Sequence, residues 1–274
     1  MTGRSRAWRI GFVAAGLLVL AVVVGVVLTL RDTARPVTVD EARGRTTTTS
    51  DSGSGTDGTS SSPQRPVAGV YQYEGSGTES LSTPPLSQTQ GPTMPATVEW
   101  GDQGCWTFRI DFSSNHWQSW TYCPDGDTVS ETGGSSWQRW MIGATAITNL
   151  SEFTCEQGSV VVADTVADGR TWDASCTGTS ETIAGETVSA GAYRFVGEES
   201  IDVGGTAVRT RHFTSERTMS GAQTGTERAD VWFADDTGLP VRNERSITAA
   251  TDTPIGTTTY TEEGRFSLSS TEPS

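Results

Sequence analysis

Two histidines, His116 and His212, are the only imidazoles in this chain of 274 residues. A Ser-His-Asp hydrolase would need one of them beside a nucleophile held on a strained G-x-S-x-G turn, and no such turn occurs. H-E-x-x-H and P-loop patterns are also absent. Both histidines read as ordinary strand residues. Asp125-Gly126-Asp127 and Asp235-Asp236-Thr237-Gly238 are acidic, but neither follows the EF-hand pattern, and turn chemistry accounts for them. The expectation is a protein that is not an enzyme, with no catalytic residue, no cofactor and no metal.

Four cysteines, Cys105, Cys123, Cys155 and Cys176, are separated by 18, 32 and 21 positions. Structural zinc sites use closely spaced pairs, so these read as disulfides: 105 with 123, and 155 with 176. The first pairing is tested by register. With Cys105 opposite Cys123, Trp106 faces Tyr122, Phe108 faces Trp120, Ile110 faces Gln118 and Phe112 faces His116. A three-residue loop, Ser113-Ser114-Asn115, remains, with Asn115 suited to a left-handed conformation. The second pair has no such test. An Asp168-Gly169 turn would set Val161, not Cys155, opposite Cys176, which suggests a link between segments outside one ladder.

Tryptophan is the other chemical resource. Trp117 and Trp120, like Trp137 and Trp140, fall on opposite faces of a strand. Trp106, Trp120, Trp137, Trp140 and Trp232 are the candidate ligand contacts, because aromatic faces stack on sugars or line apolar clefts. The plainer reading makes them large core residues in a domain otherwise built of small ones.

The elements that must position these residues divide the chain. Residues 10–30 carry no charge and no proline. As a helix they would rise about 31 Å, the thickness of a bilayer core. The run is too long for a signal peptide and no small-x-small site or lipobox cysteine follows it, so it reads as an uncleaved transmembrane signal anchor. Residues 1–9 would be cytoplasmic. Arginines flank both ends, and the cysteines decide the orientation, since disulfides need an oxidising compartment. Residues 31–66, rich in Ser, Thr, Gly and Asp, read as a disordered linker with an rms reach of about 30–36 Å.

Residues 67–274 read as one extracytoplasmic β-rich domain carrying 11 Arg and 28 acidic residues, a formal net charge of −17. Such a charge repels nucleic acid. Candidate strands are 69–74, 96–100, 105–112, 116–123, 136–142, 160–163, 182–188, 192–203, 206–219, 226–234, 240–249 and 257–267. Short turns join the last five, which predicts an all-β antiparallel meander forming a curved sheet or open half-barrel. The absence of lysine beside 19 arginines points to a GC-rich, actinobacterial source.

Residues 230–242, DVWFADDTGLPVR, resemble a hairpin of bacterial extracytoplasmic open-barrel proteins. These are the LolA-like lipoprotein carriers and the mycobacterial lipid-binding lipoproteins. The resemblance spans about 190–270. It implies a half-barrel that binds acyl chains without catalytic residues. The expected protein is therefore a non-catalytic, single-pass plasma-membrane protein, anchored through 10–30, that displays an acidic β-domain to the cell envelope. Candidate partners are a lipid in an open-barrel cavity, a glycan or cell-wall polymer on exposed Trp, or another envelope protein.

Overall fold

The computed structural model describes residues 33–46, 65–126, 128–163, 167–254 and 256–274. The expected anchor at 10–30 and the cytoplasmic segment 1–9 lie outside them. Among the described residues no helix is long and apolar enough to cross a membrane.

Among the described residues, fifteen strands form one antiparallel sheet: β1 (Gly69–Tyr71), β2 (Tyr73–Ser82), β3 (Pro85–Gln90), β4 (Ala96–Trp100), β5 (Trp106–Ser113), β6 (His116–Asp125), β7 (Thr128–Ile142), β8 (Thr145–Gln157), β9 (Val160–Ala163), β10 (Thr171–Ser180), β11 (Glu186–Val203), β12 (Thr206–Gly221), β13 (Thr224–Ala234), β14 (Pro240–Thr253) and β15 (Gly256–Leu268). From β4 to β15 the order follows the chain, as a meander should, with β9 set aside on β7. One exception shapes the molecule. The strand β1 lies at one end of the order beside β4, while β2, after one intervening residue, lies near the other, between β15 and the last strand, β3. A single intervening residue, Gln72, cannot span a flat sheet of this width, since a residue reaches only about 3.5 Å. The sheet must curl until its two ends meet.

The curled sheet remains open. The segment between β3 and β4 stitches the ends through separate backbone bonds: Gly75 N–H to Pro92 O, Met94 N–H to Tyr73 O, Gly91 N–H to Phe112 O and Asp111 N–H to Pro95 O. The concave face is filled. Tyr73, fully buried, meets Phe108 and Phe266 edge-on with both centroids at 5.6 Å, and its hydroxyl donates to Pro240 O at 2.6 Å. Phe112, Tyr122, Trp106, Tyr193, Phe195, Phe213 and Phe233 continue this core around the curl.

Both disulfides form as paired in the sequence reading, with Cα atoms 4.1 Å apart for Cys105–Cys123 and 4.0 Å for Cys155–Cys176. The β5–β6 register holds from Trp106–Tyr122 to Ile110–Gln118. At the tip the expectation needs correction. A bulge after Asp111 pairs Ser113 with His116, leaving a two-residue turn at Ser114-Asn115. Asn115 is not left-handed; it is buried, and its amide donates to Gln88 Oε1 and Thr33 Oγ1. These side-chain bonds, rather than backbone strain, hold the turn. Cys155 and Cys176 are direct partners in the β8–β10 ladder, not members of separate ladders. The strand β9 pairs with β7, so Val161 does not oppose Cys176. Of the expected strand at 182–188, residues 182–185 are instead a bend, and 186–188 open β11.

The expected linker also carries structure. Residues 33–46 end in helix α1 (Val39–Thr46). Thr38 and Glu41 cap its start reciprocally: Thr38 N–H donates to the Glu41 carboxylate, and Glu41 N–H to Thr38 Oγ1. Val37 and Ala42, on either side of the cap, are both buried. Arg35 N–H donates to Ser114 Oγ and Ser114 N–H to Arg35 O at the β5–β6 turn, and Arg45 meets the buried Asp111 carboxylate at 2.8 Å. The segment is docked on the domain.

Candidate functional site

Bringing the two ends of the sheet together places polar side chains of β2, β3, β14 and β15 against those of β6 and β7. Inward positions on β2 alternate as Tyr73, Gly75, Gly77 and Glu79, and on β3 as Leu86, Gln88 and Gln90. Glu79, His116 and Glu262 are all essentially sealed from solvent, at 1%, 1% and 2% exposure. Around them the bonds are dense. Gln88 and Gln138 donate to the two Glu79 oxygens at 2.7 and 3.1 Å. Gln90 Nε2 donates to Glu262 Oε1 at 2.7 Å and stands 3.3 Å from His116 Nδ1. Arg245 pairs with Glu262, donates to Gln118 Oε1 at 2.6 Å and covers the Phe112 ring at 4.2 Å. Tyr260, partly buried overall, places its hydroxyl between Glu79 Oε2 and Glu262 Oε2.

The electrostatics follow from burial and pairing. Burial alone would push the Glu262 carboxyl up; Arg245 and then His116 outweigh it and bring it down to about 2. Burial, reinforced by Glu262 and Glu79, holds the Tyr260 hydroxyl well above the phenol range.

A second inward cluster lies beside Cys155–Cys176. Glu131 is buried, with Arg217 Nη2 at 3.4 Å, and the same nitrogen donates to Ser159 Oγ at 2.7 Å. Burial raises the Glu131 carboxyl despite Arg217. Glu131 also lies near both sulfurs, but these are joined to each other and are not thiolate ligands. The Glu79, His116 and Glu262 group has no such obstacle to holding a cation.

His212 belongs to the outer face. Its ring stacks on Trp232 at 4.1 Å, Nε2 meets Asp230 Oδ1 at 2.8 Å, and Glu199 lies 3.6 Å from Nδ1. The Trp232 indole N–H donates to Glu199, and Arg242 lies 4.9 Å above the ring. These groups use one another, and no serine nucleophile joins them in the bonds described.

The five candidate tryptophans are not brought together. Trp106 is in the core, while Trp120 and Trp140 face inward on β6 and β7. Trp232 is 8% exposed on the outer face of β13, and Trp137 is partly exposed on β7. Trp137 has a neighbour outside the candidate set. Trp117 is its register partner on β6 and lies under Arg109 at 4.1 Å. The buried polar cluster was missed because its inward residues are Glu, Gln and His. A polar residue at every second position looks like a loop when burial is read from apolar side chains.

The comparisons with known proteins add little to this geometry. No family model matches the chain, and no curated protein does. Among solved structures it is similar to the hypothetical lipoprotein YmcC from Escherichia coli (K12), with 10% identity and a TM-score of 0.29, over 70% of this chain and 86% of that one. At that level the likeness carries no argument.

Proposed function

We propose that the chain is a non-catalytic, membrane-anchored protein of the cell envelope whose acidic β-domain binds through its outer surface. The observation that carries this reading is the filled concave face. Aromatic side chains and two buried ionic clusters occupy the space in which an open barrel would hold an acyl chain. The buried carboxylates and His116 have no access to a substrate. The two disulfides fit an oxidising, extracytoplasmic site.

The docked segment refines the placement. Thr33, three residues past the apolar run, accepts a hydrogen bond from Asn115 at the β5–β6 turn. An anchor ending at residue 30 would thus hold that turn within about 10 Å of its end. The domain would rest against the bilayer with this turn inward, not float on a 36-residue tether. Residues 33–274, exported and oxidised, should show no saturable binding of a fluorescent fatty acid. One-to-one binding at micromolar concentration would overturn the reading.

A glycan partner is favoured by one observation. Trp117 and Trp137 are neighbours on the outer face of β6 and β7, with Leu150 next in register on β8. If a glycan stacks there, Trp117→Ala should abolish the tryptophan fluorescence change on adding soluble cell-wall fragments. An unchanged response would remove the platform.

A further inference from the structure

The Tyr260 hydroxyl carries one hydrogen, yet it stands 2.9 Å from Glu79 Oε2 and 2.8 Å from Glu262 Oε2. It also accepts from Gln138 Nε2 at 2.7 Å. One of its two contacts with carboxylate oxygen therefore has no phenol hydrogen in it. His116 adds to the shortage. Its Nε2 lies 3.4 Å from Ser136 Oγ, and its Nδ1 points at Glu79 Oε2, 3.1 Å away. Two atoms with lone pairs meet there in a dry site, and the contact takes a proton or a metal ion between them.

We propose that Glu79, His116 and Glu262 form a buried site for a divalent transition metal, zinc by its ligand chemistry, that clamps the two ends of the curled sheet. Imidazole nitrogen and carboxylate oxygen are both ligand types that zinc takes. Atoms bound to one zinc ion at about 2.1 Å stand roughly 3.4 Å apart in a tetrahedron. Here His116 Nδ1 and Glu79 Oε2 stand 3.1 Å apart and all three ligand atoms lie within 4.8 Å of one another, so small side-chain rotations close the set. The surroundings match what metal ligands require. Ser136 meets the distal imidazole nitrogen, Gln88 and Gln138 hold Glu79, and Gln90 and Arg245 hold Glu262. The ligands come from β2, β6 and β15, so the metal joins strands that the chain brings together only on folding. It is captured as the sheet closes.

The test uses the full chain, purified in detergent without chelator. Metal analysis should find one zinc per chain. The same protein, unfolded in urea with chelator and refolded with both disulfides intact, should melt lower. Zinc present at about 100-fold above its dissociation constant during refolding should restore a Tm on the order of 5–10 °C higher. Ser136→Ala, which leaves all three ligands in place, should weaken zinc affinity about 10–100-fold. If wild-type protein contains no stoichiometric metal, and refolding with zinc or manganese leaves Tm unchanged, a proton alone bridges the cluster and the proposal fails. These readouts are independent of where the domain is displayed.

Discussion

Replacing Arg217 by Met keeps most of the side chain's length and removes its charge. Glu131 then stays buried beside Cys155–Cys176 without its partner. It can remain ionised, which costs about 3–5 kcal/mol for a broken buried pair. It can instead take a proton, at about 1.4 kcal/mol for each pH unit above its usual value near 4.5, or about 3.4 kcal/mol at pH 7. The protonation route caps the loss. The Ser159 bond adds about 1 kcal/mol, and the relief of no longer burying a guanidinium takes some back. The expected loss at pH 7 is about 2–4 kcal/mol. The pH dependence has a definite sign. Burial has already raised Glu131 in the native protein, so its ionisation opposes folding. That cost is absent below about pH 4.5 and grows as pH rises through the folded value. Removing Arg217 raises the folded value further, so the variant's deficit should shrink by about 1–2 kcal/mol between pH 7 and pH 5. Urea unfolding of residues 33–274, followed by tryptophan fluorescence at both pH values, measures this provided the slope m is unchanged. Arg217→Met with Glu131→Gln should recover most of the loss, because no charge remains buried. A single-variant loss under about 0.5 kcal/mol at pH 7, or one that grows toward pH 5, would refute the reasoning.

Three further predictions rest on other parts of the molecule. Replacing Cys105 and Cys123 by serine opens a link between residues 18 apart and should lower unfolding stability by about 3 kcal/mol; an unchanged urea midpoint would show that the link contributes nothing. Thr38→Ala removes the α1 cap at a cost of about 1 kcal/mol, so amide exchange across 33–46 should quicken about fivefold while exchange in β5 stays constant. Alkaline phosphatase fused after Ser274 should be active; an inactive enzyme paired with a bright cytoplasmic fluorescent fusion would reverse the orientation.

Legibility of the sequence depended on where apolar side chains point. The β5–β6 hairpin was readable because Trp106, Phe108 and Ile110 alternate inward and Cys105–Cys123 checks the register. On β3 the same alternation exists, but its inward residues after Leu86 are Gln88 and Gln90, so the strand was missed. On β8 and β10 the ladder is carried by Ser, Thr and Gly, and only the cysteine pair marks it. The Glu79–His116–Glu262 cluster draws on strands separated by most of the chain. No local pattern joins them; the curl does. Helix α1 did leave a local signal: Thr38-Val39-Asp40-Glu41 is a capping box with Val37 ahead of it, submerged in a segment dominated by linker composition.

Native mass spectrometry of residues 33–274, exported by the host and purified without detergent, tests the central claim most directly. The account predicts the polypeptide mass less four hydrogens for two disulfides, with one zinc ion and no lipid. A stoichiometric lipid adduct that survives dilution would show a cavity where the structure places a filled core, and would contradict it.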